Sequence, residues 1–233
     1  MAKLRALAEQ LWIADGGTVR FFGFPFPTRM TVVRLSDGRV WIHSPIALDD
    51  NLRAEIDALG PVAELVAPSV LHHLFVGAWQ NAYPRARTWA APGLRKKCPQ
   101  LRFDADLEDG APAQWGDEIE ALVFRHSRLV DEVEFFHRPS HTLILTDLIE
   151  NVDGQTLSWP VRLIAHWGGV LAPHGSTPRD FRASFRGDGR EQARVCRDHL
   201  LQWKARRIVL AHGLCIEADA HAFLGRALDW LGA

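Results

Sequence analysis

The sequence predicts a mixed α+β protein in which two β-sheets pack together with helices on the outside. Strand patterns dominate residues 12–43, strands and helices alternate over 48–97, and a second strand-rich stretch at 119–146 is followed later by a helix, a strand and a helix. Two strand-rich stretches separated by alternating units are typical of two sheets, each needing a partner for its apolar face. We therefore expect one domain, residues 1–233, since a chain of this length often forms a single unit.

Local patterns place the elements of the first half. Alternating apolar and β-branched residues indicate strands, apolar residues three or four apart indicate helices, and glycine or proline marks the breaks. The clearest unit is a hairpin, because Ser36-Asp37-Gly38 suits a tight turn between two β-branched runs. The predicted elements are short strands within 12–26, strands at 30–35, 39–43, 65–67 and 88–91, and helices at 48–59, 70–83 and 94–97.

The second half surrounds a long segment with many helix breakers. Residues 148–187 hold five glycines and three prolines, so they are predicted to be an irregular, lid-like excursion that shapes a pocket. The apolar residues of this excursion suit a homodimer interface equally well. An irregular acidic stretch, 104–117, precedes the other elements of this half, which are strands at 119–124, 133–137, 142–146 and 207–211 and helices at 191–205 and 218–231.

Composition excludes several classes of partner. The 27 basic and 28 acidic residues give a formal net charge of −1, so no long-range field favours nucleic acid or an anionic membrane. No secretory signal pattern and no run of 18 apolar residues is present, and the odd number of cysteines best suits a reducing cytoplasm. The three cysteines are too scattered for a redox or metal motif, and most of the nine tryptophans are expected to fill the core.

Two adjacent histidines, His72 and His73, stand where a predicted strand gives way to a helix. With Ser69 as N-cap, both lie in the predicted first turn, where the helix dipole would keep the rings neutral and able to bind metal. An adjacent pair is weak support alone among 11 histidines. A capping or backbone hydrogen bond is the alternative interpretation.

Two more residues with metal-binding side chains follow buried strands. Asp147 comes after Leu143–Thr146, and His212 comes after Val209–Ala211 and before Gly213. The carboxyl end of a strand is where α/β sheets usually place their sites, although Asp147 would also serve as a cap. Three imidazoles and one carboxylate would form a tetrahedral set suited to zinc or iron.

Several phrases resemble the metallo-β-lactamase superfamily and, within it, a bacterial family of unassigned function with a degenerate metal-binding motif. The resemblance runs from about Leu11 to Leu231 and implies a four-layer αββα sandwich with its site at the strand ends. The phrases are Thr28–Leu35, Ala67-Pro68, His72–Phe75, Phe135–Ser140, Thr142–Ile144, Leu145–Asp147 and Ala211–Gly213.

The superfamily signature, His-x-His-x-Asp-His, normally serves two metal ions. If His73 matches its last histidine, His72 takes the aspartate position, while Pro68 and Val70 replace the first two histidines and cannot bind metal. The resemblance also matches Asp147 to the aspartate that bridges the two metals and His212 to the final histidine. It thus implies that one metal site is lost and that a ligand set for the other remains.

Two further histidines are candidates for lining a pocket. His126 is the only one near the end of strand 119–124, where the superfamily carries another ligand, but Ser127–Asp131 lacks the usual sequence context. His174 lies on the predicted excursion, where it would approach a substrate. Asp131 and Glu132 are candidate partners of the ligands, although the sequence does not place them.

The resemblance implies a hydrolase that uses one divalent metal ion, zinc or iron, to activate water for attack on an unidentified small molecule. His72, His73 and His212 would be ligands, and Asp147 a ligand or the catalytic base. The alternative is a non-catalytic member that binds a ligand or a partner protein. Iron redox chemistry is a third interpretation, for which no flavin or nucleotide motif is present.

Overall fold

A computed structural model describes residues 2–21, 24–125 and 127–232 of the chain. Contacts between Cα atoms divide it into two compact units, Met1–Glu120 and Ala121–Ala233. A seven-stranded sheet belongs to the first unit and a four-stranded sheet dominates the second. Helices accompany both sheets, so the predicted α+β class with two sheets is confirmed.

The first sheet follows chain order from β1 to β7. Its first four strands pair antiparallel, and the pairings from β4 to β7 are parallel. The predicted hairpin is present, with Val33 opposite Trp41. The strands are β1 Leu4–Ala8, β2 Leu11–Phe21, β3 Phe24–Arg34, β4 Val40–His43, β5 Val62–Ala67, β6 Arg87–Ala90 and β7 Ala105–Asp106.

Residues 12–26 differ from the prediction of short strands joined by turns. Residues 22 and 23 lie outside the described part of the chain, and the others belong to two 11-residue strands, β2 and β3, which pair with a register shift between Asp15 and Thr18. Gly16 and Gly17 lie within this irregularity, where a bulge absorbs extra residues without ending the strand. The glycines therefore do not terminate the strand.

The helices of the first unit are α1 Asp50–Asp57, α2 Val76–Ala82 and α3 Leu94–Lys97. Asp49 caps α1 by accepting a hydrogen bond from the Leu52 amide at 2.8 Å. Leu52 and Ile56 are buried in a core cluster that includes Trp79 of α2. The first helix is thus formed by the apolar spacing that predicts it.

The second sheet has the order β11-β10-β9-β8. Strands β9 and β10 run antiparallel, whereas β10 and β11 are parallel, with Leu145 opposite Leu210. The elements are β8 Ile119–Phe124, β9 Glu132–His137, β10 Thr142–Leu145, β11 Arg207–Leu210, α4 Trp159–Gly168, α5 Arg179–Ser184, α6 Asp188–Gln202 and α7 Ala220–Ala227.

The excursion at 148–187 contains two helices, α4 and α5, in addition to its turns. Pro160 lies in the first turn of α4, and Gly169 ends the helix with a left-handed φ of 76°. Proline near the start and glycine after the end are helix boundary signals, so these residues do not predict irregular structure here. Within the described residues, no helix has the length and apolar character needed to cross a bilayer.

Tryptophan packing follows the core-filling expectation in part. Trp41, Trp79 and Trp115 are fully buried. On α4, however, Trp159 and Trp167 are 74% and 65% exposed. These two are exceptions because α4 contributes no buried residue.

Candidate metal centre

Asp147 and His212 come together at one edge of the second sheet. The parallel register sets Leu145 opposite Leu210, so the residues two positions later leave the two strands side by side. The Ala211 amide extends the ladder by donating to the Leu145 carbonyl at 3.1 Å. His212 Nε2 lies 3.2 Å from Asp147 Oδ1, with the side chains 7% and 17% exposed. This is a pair of nitrogen and oxygen donors of the kind that zinc and iron bind.

Asn151 fastens the backbone around His212. Its amide donates to the His212 carbonyl at 3.4 Å, and its own carbonyl accepts from the Leu214 amide at 2.8 Å. Between these contacts, Gly213 has a φ of 94°, and a Cβ there would lie 2.2 Å from the Asn151 carbonyl oxygen. Only glycine fits so close an approach at this φ. The ring of His212 is thus carried by a backbone held from both sides.

Buried carboxyl groups surround this pair within the second unit. Glu132 and Glu134 on β9 are fully buried. Burial, followed by the negative charge of Glu132, raises the pKa of Glu134 well above its usual range. Burial raises the pKa of Glu150 to about 7; the charge of His212 opposes the rise, and that of Asp147 adds to it. A cation would relieve the repulsion among such groups.

His72 lies in the first unit, hydrogen-bonded to a serine that follows β4. The Ser44 hydroxyl is 2.8 Å from His72 Nδ1. Metal-binding histidines usually have a hydrogen-bond partner of this kind on one ring nitrogen, which orients the ring. Ser44 is buried and has a φ of 51°, so its hydroxyl is set by an unusual backbone conformation.

His73 and His43 also belong to the first unit. Burial, followed by the charge of Lys97, lowers the pKa of His73. His43 is stacked on Trp41 with 5.6 Å between ring centroids, and burial followed by the charge of His72 lowers its pKa to about 3. Burial thus favours the neutral form of both rings.

The sequence predicts that the histidine pair lies in the first turn of a helix, and this prediction is wrong. Helix α2 begins only at Val76, and the pair occupies a preceding turn. Ser69 Oγ accepts from the amides of Leu71 and His72 at 3.1 and 3.3 Å, so it stabilises that turn and does not cap α2. The helix-dipole argument for neutral rings is thus wrong for this pair; for His73, burial has that effect.

The other predicted pocket residues remain predictions. His126 lies outside the described residues. His174 is exposed on a turn in which its amide donates to the Leu171 carbonyl at 3.1 Å.

The sequence does not single out Ser44 or Asn151, and it names Glu132 only as a candidate partner. One sequence signal could have identified Glu132: acidic residues, Glu132 and Glu134, stand two positions apart in the otherwise apolar strand β9. Such a pattern puts carboxyl groups on one face of a sheet, where burial requires a partner.

Solved structures of metallo-β-lactamases share this fold. The DIM-1 enzyme exposed to ceftazidime matches with a TM-score of 0.67 at 14% identity, covering 99% of this chain and 96% of that chain. An enzyme from Pontibacter korlensis matches at 0.64 and 12% identity, covering 99% of both chains. FIM-1 from Pseudomonas aeruginosa, in its mono-zinc form, matches at 0.62 and 13% identity, covering 99% and 94%. The metallo-β-lactamase fold implied by the sequence is therefore confirmed.

Sequence comparison identifies the family of this chain, and the function of that family is unknown. No curated protein matches the chain. A family model described as a domain of unknown function, DUF4336, matches residues 9–161, which is about two thirds of the chain. The protein thus belongs to the DUF4336 family and carries the metallo-β-lactamase fold.

Proposed function

We propose that this protein is a hydrolase that binds one divalent metal ion, zinc or iron, through His72, Asp147 and His212. The observation that carries the proposal is the Asp147–His212 pair, 3.2 Å apart at the ends of two parallel strands. The fold supports it, since FIM-1 has a mono-zinc form. The Ser44 bond to His72 Nδ1 supports it too, because metal-binding histidines usually have such a partner on one ring nitrogen.

The number of ligands bears on catalysis. Catalytic zinc sites usually have three protein ligands and keep one position for water or substrate, whereas structural sites are closed by four protein ligands. His72, Asp147 and His212 would leave a position open, and His73 as a fourth ligand would close it. When bound, the metal would lower the pKa of a water molecule and polarise the substrate. Asp147 would then act as ligand or as the base that orients the water.

A non-catalytic binding protein is the second candidate. The Asp147–His212 contact is itself an ion pair when the imidazole is protonated, so it can satisfy both side chains without metal. Pro68 and Val70 also stand where the superfamily signature has metal-binding histidines. Under this candidate, the residues would serve stability and a ligand would bind elsewhere on the fold.

Elemental analysis separates the two candidates. Protein purified without chelator or nickel affinity should hold about one equivalent of zinc or iron, which His212→Ala and Asp147→Asn should abolish. His73→Ala should retain the metal if three ligands suffice, and His174→Ala serves as an exposed control. Less than a few tenths of an equivalent, unchanged by His212→Ala, would contradict the metal site.

Activity needs its own measurement, because a fold does not define a reaction. The metal-loaded protein would be assayed on ester, thioester, lactam and phosphodiester reporters, with His212→Ala as the blank. Metal-dependent turnover on any of these classes supports the hydrolase. If metal is bound but none of these reporters is turned over, the non-catalytic candidate is favoured.

A further inference from the structure

Glu132 joins the start of β9 to the residues that follow β10. Its Oε1 accepts from the Thr146 amide at 2.8 Å and from the Asp147 amide at 2.9 Å. Its Oε2 lies 2.9 Å from the same Asp147 amide. Both oxygens act as acceptors, which is the hydrogen-bonding pattern of an ionised carboxylate.

The strand register explains why a side chain occupies this place. In the antiparallel pair of β9 and β10, Thr142 lies opposite His137 and Ile144 opposite Phe135. Continued to the end, the same register sets Asp147 opposite Glu132. The backbone pairing stops before that point. The Glu132 carboxylate there accepts hydrogen bonds from amides that would otherwise donate to backbone carbonyls of a neighbouring strand. The contact thus extends the sheet edge to the residue that faces His212.

We propose that Glu132 is a positioning residue that holds Asp147 against the His212 ring by fixing the Asp147 backbone. The role in metal binding rests on the proposed function, whereas the placement of Asp147 does not. Buried hydrogen bonds to an ionised acceptor are stronger than neutral ones, so they suit a segment that must not shift. Partners behind metal ligands change metal affinity by about 10- to 100-fold when they are removed.

Glu134 provides a comparison on the same strand. It is fully buried like Glu132 and lies two residues further along β9. Within the described part of the chain, however, the Glu134 carboxyl makes no hydrogen bond to Thr146 or Asp147. If burial of an acid in this strand were all that mattered, the two positions would be equivalent. The contacts to Thr146 and Asp147 instead assign the positioning role to Glu132 and not to Glu134.

The test compares Glu132→Gln with two controls in the full-length protein. Glu134→Gln changes the neighbouring buried acid, and Glu64→Gln removes a buried carboxylate that binds Trp89 Nε1 at 2.6 Å in the first unit. Zinc affinity would be measured by competition with a chromogenic chelator under conditions in which circular dichroism shows each variant folded. We expect Glu132→Gln to weaken zinc binding about 10- to 100-fold and both controls to stay within about twofold.

A metal-free measurement keeps the inference distinct from the proposed function. Nitrogen chemical shifts of the His212 ring and amide exchange at Thr146 and Asp147 would be recorded by NMR without metal. Glu132→Gln should shift the ring signals and speed amide exchange, and Glu134→Gln should change neither. If wild-type protein binds no zinc, the proposed function fails and these NMR results alone decide the inference. Unchanged His212 signals in Glu132→Gln, or equal zinc losses in all three variants, would overturn it.

Discussion

His212 and His72 are held by different kinds of structure. His212 leaves a parallel strand pair, and the backbone on either side of it is clamped to Asn151. His72 lies in a turn before α2, where Ser69 organises the backbone and Ser44 holds the ring. One position follows from sheet register, and the other depends on two serine hydroxyls.

This difference predicts which property a substitution near each histidine should change. A residue fixed by strand pairing moves only if the backbone moves, so damage there should appear in stability. A residue fixed by side-chain hydrogen bonds can lose its orientation while the fold stays intact. Changes near His72 should therefore alter binding more than folding.

The largest expected effect on stability comes from a substitution next to His212. Gly213→Ala would set a Cβ 2.2 Å from the Asn151 carbonyl oxygen at a φ of 94°, so we expect a loss of at least about 3 kcal/mol in the free energy of unfolding, measured in urea. Gly77→Ala is the control in α2, where a Cβ would meet the flexible Leu101 side chain at 3.2 Å. It should stay within about 1 kcal/mol of wild type. Equal losses would contradict the proposed rigidity of the His212 edge.

Acid should lower the free energy of unfolding through His43, by less than the Gly213→Ala substitution does. Its pKa is about 3 in the folded state and ordinarily 6.5, so below pH 6.5 the unfolded state takes up a proton that the folded state refuses. Between pH 6.5 and 4.5, metal-free wild type should lose about 2 kcal/mol more than His43→Gln in urea unfolding.

Glu150 gives a control of opposite sign. Its pKa is raised from 4.5 to about 7, so it contributes stability that is lost as pH rises through that interval. Glu150→Gln should remove that loss and make the protein more sensitive to acid. Parallel pH profiles for wild type and His43→Gln would refute the buried, neutral histidine.

A moderate effect on binding is expected at Ser44. Ser44→Ala removes the hydroxyl 2.8 Å from His72 Nδ1, so zinc affinity should fall by about 10-fold or more with little change in folding. Ser140→Ala is the matched control, because its hydroxyl lies 2.7 Å from Nδ1 of His137. Loss of affinity in both variants would show that the effect is not specific to His72.

The smallest effect is expected at Ser69. Ser69→Ala removes the acceptor for the Leu71 and His72 amides and should cost about 0.5–1 kcal/mol in urea unfolding. Ser69→Thr should retain most of that stability. A loss above about 2 kcal/mol would mean that the histidine turn is as integral to the fold as the His212 edge.

Much of the fold could be predicted because its signals are local. The hairpin follows from Ser36-Asp37-Gly38, and β10 and β11 follow from short apolar runs. The histidine turn and the excursion differ from prediction because their signals have two meanings. Ser69 suits a turn as well as a helix cap, and Pro160 and Gly169 begin and end α4 although they suggest irregular structure.

The sequence by itself determined the α+β class, most strands and the candidacy of His72, His73, Asp147 and His212, because periodicity and donor chemistry are properties of neighbouring residues. Tertiary structure alone decided that Glu132 binds the Asp147 amide, that Asn151 clamps His212 and that Ser44 faces His72. Each of these contacts joins residues far apart in the chain. Strand register and chain packing create such contacts, and no local pattern encodes them.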